Sequence, residues 1–325
     1  MIDIARGRSA FKQMAREYLV LFAIMILLVI TAVVEPKFLS AANLTNILRQ
    51  FGPLSLVSLG MTFVIIGGFI DLSVAGIMSL VAVTTVVLIK PLGQAGALLT
   101  GLAMGAVMGY INSLLLLGSG ATTSAEALFI TYGMSTVYSA LALIVVGGAT
   151  QRLSRIEGRS ISIFDAIGRG GWGPISVSFM IFLFCLVILY IFQSKTYIGR
   201  SISLTGGNKT AARLSGIPVD KSIRVIYMIS GLMAAMAAIV LFSRTTTASP
   251  ADGRSYETNA ILSVVVGGTT LKGGKGSVLR TVLGVLLVTL LSNCLNLLGV
   301  STYMQSVLKG AILVVAIWLD NLKER

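Results

Sequence analysis

From Tyr18 onward the chain is a succession of uninterrupted apolar runs, most near twenty residues long, separated by short polar stretches. A helix needs about 20 apolar residues to cross the hydrocarbon core of a bilayer, and in lipid only helices and closed barrels satisfy their own backbone. Barrel strands alternate apolar and polar residues; these runs do not. The expected fold is therefore an all-α integral membrane protein, a polytopic helical bundle. The charge content agrees. Charged residues make up 11% of the chain, too few to wet the surface of a soluble globule, which carries about 25%.

Spans are expected near 18–34, 53–70, 73–89, 93–117, 127–146, 174–193, 222–243, 278–298 and 304–319, with a shorter segment at 258–271. Charge sidedness sets the topology. The segment 1–17 carries Arg6, Arg8, Lys12 and Arg16 and is placed in the cytoplasm; with no small-residue cleavage site after the first run, it reads as an anchor's flank and not a signal peptide. The loop 194–224 holds six Lys or Arg against Asp220, and the tail 320–325 holds Lys323 and Arg325, so both are also placed inside. Parity between them requires an even number of crossings. Counting 258–271 gives about ten transmembrane segments with both termini cytoplasmic. The domain organisation is then a cytoplasmic segment 1–17, a membrane domain 18–319 with a cytoplasmic loop at 194–221, and the tail. For 258–271 itself two readings are open, a short tilted helix or a packed, partly unwound element.

Composition excludes several chemistries. There is no histidine, which removes His-based acid–base catalysis and His-ligated metals. Cys185 and Cys294 lie in separate apolar runs and suggest neither a disulfide framework nor a metal site. The net charge of +13 falls mostly in cytoplasmic flanks and needs no nucleic acid to explain it. Gly206-Gly207-Asn208-Lys209-Thr210 and Gly273-Gly274-Lys275-Gly276-Ser277 echo a phosphate-binding loop but lack its Gly-x-x-x-x-Gly-Lys-Ser/Thr spacing. No cofactor is expected of this chain. Any ATP that drives it is used by a separate subunit.

Candidate functional residues are of two kinds. Asp71, between two spans, is either a helix cap or a pathway residue, and Glu126 opens the 127–146 span. Thr289, Asn293 and Asn296 share one face of the 278–298 span, and Asn112 lies in 93–117; such side chains suit sugar hydroxyls and equally suit helix–helix hydrogen bonds. Gly101, Gly105 and Gly109, four apart, indicate close helix contact. The second kind lies in the basic loop. Asn208 can cap a short helix over 209–215, Gly216 can end it in the left-handed conformation, and Pro218 prevents its continuation. A helix this short is marginal alone, so docking against a partner would stabilise it, with Ala211 and Leu214 as its apolar face.

The residues Gly199-Arg200, Gly206-Gly207-Asn208, Ala211-Ala212 and Arg213-Leu214-Ser215-Gly216-Ile217 resemble the coupling region of permeases from ribose-type bacterial ABC sugar importers. The likeness extends to Gly60-Met61-Thr62-Phe63-Val64, to Ile70-Asp71-Leu72-Ser73-Val74, and to Glu257, Val266-Gly267-Gly268-Thr269 and Asn296-Leu297-Leu298-Gly299. It departs from the family pattern at Phe69, at Ala75-Gly76, and before the 127–146 span, where the usual Pro is missing. The resemblance implies a permease in the bacterial inner membrane, paired with a second permease of the same or a related chain. It also implies a cytoplasmic ABC ATPase and a periplasmic solute-binding protein as partners. Asn208, Lys209, Ala211, Arg213, Leu214 and Gly216 would then form the ATPase-coupling helix, with Lys209 and Arg213 meeting acceptors on the ATPase and Leu214 filling its groove. The path would be lined by uncharged polar groups, Asn293 and Asn296 first, with Asn112, Thr289 and the carboxylate Asp71 as further candidates. A stand-alone carrier or channel remains an alternative; its ion-coupled form would depend on Asp71 or Glu126. A membrane enzyme lacks the clustered carboxylates it would need.

Overall fold

The computed structural model describes residues 21–322 apart from 122, 157 and 174; the expected segment 1–17 and the last three residues of the expected tail 320–325 lie outside them. The fold is helical nearly throughout. Its helices are α1 (Leu21–Val34), α2 (Ala41–Ile66), α3 (Val74–Gly118), α4 (Ser124–Val146), α5 (Ser162–Arg169), α6 (Val177–Lys195), α7 (Tyr197–Gly207), α8 (Lys209–Leu214), α9 (Val219–Thr245), α10 (Tyr256–Val266), α11 (Val278–Leu297) and α12 (Thr302–Leu322). Among the described residues six helices (α2, α3, α4, α6, α9 and α11) are long and apolar enough to cross a membrane, and α1 and α12 are shorter apolar helices.

At 45 residues α3 would be about 68 Å long if straight, at 1.5 Å per residue, roughly twice the bilayer core. It folds back instead. Pro91 interrupts the backbone ladder and Gly93, at φ +70°, turns the chain. The two halves meet where Gly101 packs against the Thr85 side chain. One helix by backbone pattern is thus the two spans expected at 73–89 and 93–117.

Elsewhere the boundaries shift for local reasons. α2 begins twelve residues before the expected span because Ser40 caps it, accepting from Asn43 N–H at 3.3 Å. Its first turns, with Asn43, Asn46, Arg49 and Gln50, are too polar to register as a span, and Pro53 lies within the helix. α2 ends at Ile66, not at residue 70, through a six-to-one hydrogen bond from Phe69 N–H to Val64 O (3.1 Å) over Gly68 at φ +78°. The same device ends α10: Thr269 N–H donates to Val264 O (3.2 Å) over Gly268 at φ +100°. α10 has 11 residues, about 16 Å, which is half of a crossing. The chain before it holds a two-residue strand, Thr247–Ala248, and then turns over 250–255, and the Gly253 N–H donates to Ser79 Oγ at 3.1 Å, inside the first half of α3. Of the two readings of 258–271, the helical part is short and the remainder is unwound.

The core is built on α2, α3 and α9. Residues 51–66 of α2 are buried without exception, and α3 packs against α9 more extensively than any other pair of helices. That contact is main chain on main chain: Gly105 faces Gly231, and Gly109 sits on the Tyr227 carbonyl. The outer helices turn large apolar side chains outward, among them Phe129, Ile144, Phe184 and Val314. Such an apolar exterior suits lipid and would be a liability in water. The ends of the bundle are distinct. At one, the α10–α11 connection meets the end of α2 through Gly274 N–H to Ile66 O (2.7 Å), beside α7 and α8. At the other, Gln151–Arg152 pairs antiparallel with Thr247–Ala248.

Candidate functional site

The end that carries α7 and α8 is assembled from glycine. Gly206 abuts the Ile66 carbonyl, Gly273 abuts Gly68, and Gly274 abuts Gly207. A Cβ at any of these three positions would meet backbone, so only glycine permits the approach. The two phosphate-loop echoes of the sequence are therefore the two faces of one backbone clasp, which closes on the end of α2.

α8 follows directly. Asn208 Oδ1 accepts from Ala211 N–H (2.9 Å), and Gly216 at φ +75° ends the helix through its N–H to Arg213 O (3.0 Å). Ala212 is buried against the body, Ala211 is exposed, and Leu214 is 86% exposed. Both cations have partners on their own chain, Arg213 at the surface and Lys209 half-buried. Arg213 Nη2 pairs with Asp220 at 2.8 Å, and the Lys209 ammonium lies over the Phe69 ring. Burial pushes the Lys209 ammonium down to about 8, with the Glu126 charge opposing and that of Arg213 adding. Glu126 also closes a capping box at the start of α4: its Oε2 accepts from Thr123 N–H (2.8 Å) while Thr123 Oγ1 accepts from Glu126 N–H (3.2 Å). Between α8 and the α10–α11 connection runs a groove of about 460 Å³, lined by Ser203, Asn208, Ala211, Ser215 and Lys275 among others.

Deeper in the bundle the chain between α2 and α3 is non-helical and buried, the setting in which irregular backbone survives at membrane depth. Thr131 Oγ1 accepts from Leu72 N–H (3.0 Å), and Ser124 Oγ donates to Gly68 O (2.7 Å). Asp71 accepts from Ser73 through backbone (2.9 Å) and hydroxyl (2.5 Å), and from Ser230 Oγ of α9 (2.7 Å). Asn112 Nδ2 donates to Ser73 Oγ (2.7 Å), and Tyr138 OH reaches Asn112 Oδ1 (3.0 Å). Asp71 and Asn112, separate in sequence, thus belong to one buried polar cluster joining α3, α4 and α9.

The polar face of α11 is divided between neighbours. Asn293 and Asn43 of α2 exchange two amide hydrogen bonds (3.0 and 2.9 Å). Asn296 Oδ1 accepts from Gln305 Nε2 of α12 (2.8 Å). Thr289 is buried, and among the described residues its hydroxyl has no protein partner. The helix-to-helix role is the one these two asparagines occupy here.

A second polar region has no counterpart among the candidate pathway residues of the sequence. Around the start of α10 lie two cavities. One, of about 290 Å³, is lined by Ala75, Ser139, Leu143, Ser249, Arg254 and Glu257 among others. The other, of about 220 Å³, is lined by Thr258, Asn259, Ser306 and Lys309 among others. Lys309 sits in the apolar helix α12, where an ionisable residue is expensive and marks function by default. A span-by-span search for intramembrane charge, extended to cations and to the first turn of the short segment, would have found both Glu257 and Lys309.

Residues 43–317 match the family described as branched-chain amino acid transport system / permease component. The chain belongs to this permease family. It is 39% identical to the ribose import permease protein RbsC of Bacillus subtilis (strain 168), over 92% of this chain and 90% of the relative. To RbsC of Escherichia coli (strain K12) it is 34% identical over 98% of each. To the L-arabinose transport system permease protein AraH of the same strain it is 32% identical over 98% of this chain and 95% of the relative. No solved structure matches the chain. As a permease of this family with several apolar helices, it is a multi-pass protein of the bacterial inner membrane, a transport subunit and not an enzyme.

Proposed function

We propose that this permease serves an ATP-binding cassette importer for a neutral sugar, and that α8 is where a separate cytoplasmic ATPase engages it. The observation that carries the ATPase assignment is α8 itself: a capped two-turn helix, held to the body by Ala212 and the glycine clasp, with Leu214 bare on its outer face. An 86% exposed leucine at the end of a helix too short to persist alone suits a partner's groove. The sugar assignment rests on the relatives, which are named for ribose, L-arabinose and D-allose. ATP would be bound and hydrolysed by the partner, with this chain holding no cofactor.

Ten crossings with both termini cytoplasmic is the arrangement we favour. It counts α1, α2, the two halves of α3, α4, α6, α9, α10, α11 and α12. It is supported by the meeting of the α10–α11 connection with the end of α2, beside basic α7 and α8, and by the pairing of the chain after α4 with the chain after α9 at the opposite end. A second permease and a periplasmic binding protein that delivers the solute complete the assembly. Against an ion-coupled carrier stands the occupancy of its two carboxylates, Asp71 by three hydrogen bonds and Glu126 by a capping box.

The test is purification of the chain in mild detergent with identification of co-eluting proteins, followed by reconstitution. An ATPase in the eluate, and ATP-dependent uptake of D-ribose, L-arabinose or D-allose that persists when ion gradients are collapsed, is the expected result. Uptake driven by an ion gradient with no ATPase present would replace this reading with that of a carrier.

A further inference from the structure

The wall of the larger cavity at α10 carries an unresolved electrostatic debt. Among the described residues Glu257 Oε2 is buried and has no hydrogen-bond partner, although the carboxylate as a whole is held by backbone hydrogen bonds from Ser255 and from its own N–H. A buried carboxylate oxygen left unpaired costs the desolvation of a charged acceptor, so it calls for an explanation. Facing the same space are Arg254, which can only donate, and Ser139 and Ser249, which can do both. Leu143 and Ala75 supply an apolar side. One acceptor and one donor of fixed sign, hydroxyls of either sign and an apolar wall together match a molecule that carries many hydroxyls on a carbon ring and no net charge. A volume of about 290 Å³ is at the small end of ligand pockets and suits one such ring.

The position of the cavity adds to this. Where the chain from 250 to 255 runs as turns, no helix stands, and the cavity opens there beside Ser139 and Leu143 of α4 and Ala75 at the start of α3. Discontinuous helices place solute sites of transporters at breaks of this kind. Gly253 is held in the break by its N–H to Ser79 Oγ and its close approach to the Ala75 carbonyl. The cavity therefore shares a wall with the start of α3, whose Ser73 is bonded to Asp71.

We propose that this cavity is a stopping place for the sugar within the permease, with Glu257 accepting from its hydroxyls and Arg254 donating to them. The proposal rests on the sugar-importer reading above. It names Glu257, Arg254 and Ser139 as contact residues.

The experiment uses the importer reconstituted in proteoliposomes with its ATPase and binding protein, screened first with D-ribose, L-arabinose and D-allose. With the sugar that is transported, Glu257→Ala lowers accumulation about tenfold, the loss expected for one charge-assisted hydrogen bond. Leu143→Trp, which fills the cavity without touching the charge, lowers it as well. Both variants still bind the loaded binding protein with wild-type affinity. In Ser139→Cys, whose native cysteines are both buried, a small thiol reagent labels the new thiol and the sugar-loaded complex protects it. Wild-type accumulation in both Glu257→Ala and Leu143→Trp, or labelling of Ser139→Cys that the sugar does not slow, overturns the site and leaves the importer reading intact. A wild-type importer that moves none of the three sugars removes the sugar reading, and the site with it.

Discussion

The ammonium of Lys209 lies 3.6 Å from the centroid of the Phe69 ring. One residue belongs to the short helix at the end of the bundle, the other to the buried break between α2 and α3, two residues before Asp71. Phe69 is fully buried and also contacts the Tyr227 ring of α9, centroid to centroid 6.2 Å. A cation over a ring contributes about 0.5–2 kcal/mol, more as water is excluded. The pair thus links α8 to the polar cluster by a side-chain route. Replacing Phe69 with Leu keeps the packing and removes the ring face. The expected result is an importer that hydrolyses more ATP per sugar moved, read as the ratio of phosphate released to sugar accumulated; an unchanged ratio removes the coupling role of the pair.

Lys209 also gives the protein a pH signature. Its folded value, about 8, lies below the ordinary 10.5 because burial disfavours the charged form. Below about 8 the side chain is charged in folded and unfolded chains alike, and the full cost of burying it is present. Between 8 and 10.5 the unfolded chain binds more protons, so stability rises with pH across that window. Lys209→Met is expected to flatten the rise in Tm of the detergent-solubilised permease between pH 8 and 10. An identical rise in variant and wild type would assign it to other groups.

Leu214→Asp leaves the fold untouched, because the side chain is 86% exposed, and surface substitutions of this kind stay within about 0.5 kcal/mol. The variant is expected to elute as the wild type does and to lose its ATPase on purification. Retention of the ATPase with normal sugar-stimulated hydrolysis would move the docking surface elsewhere.

Gly109→Leu drives a side chain into the Tyr227 carbonyl at the α3–α9 contact. The cost is that of overpacking, about 1–3 kcal/mol or more where backbone must move. Expression and thermal stability should both fall, while Gly118→Leu, which meets nothing within 4 Å, should be tolerated.

Asn43 and Asn293 invite a double-mutant cycle. Asn293→Leu leaves the Asn43 amide only its bond to Phe38 O (2.8 Å), Asn43→Leu takes from the Asn293 amide the partner it has here, and the double change removes both amides. The expected coupling is about 0.6–1.7 kcal/mol, the range for hydrogen bonds between membrane helices, with sugar uptake little altered in the double variant. Loss of uptake in the double variant at normal stability would return Asn293 to the pathway.

What could be read in the sequence was whatever is local. The cap at Asn208, the left-handed stop at Gly216 and the close-packing face of Gly105 and Gly109 are set by residues within a few positions of one another. The first half of α2 was not legible, because a window of hydropathy averages Asn43, Arg49 and Gln50 into a loop although Ser40 caps a helix there. Nor was α7, which lies in a stretch read as a basic loop. The partners of polar side chains were hidden more deeply. Asn293 looked available for solute until Asn43, 250 residues away in sequence, was brought against it. Lys209 and Arg213, which the resemblance assigns to a partner protein, contact Phe69 and Asp220 of their own chain. Glu257 carries part of the family resemblance and Lys309 lies within an expected span, but no local pattern ties either of them to a cavity.

The glycine clasp has a mechanical meaning. Where Gly206 touches Ile66 and Gly274 touches Gly207, peptide group meets peptide group, and there is no rotamer between them to flex. A push delivered at α8 arrives at the carboxyl end of α2 without first being absorbed in the bending of a side chain. In the importer proposed above, a joint made this way would have little slack, and with no charged group in the contact its packing would not depend on pH or salt.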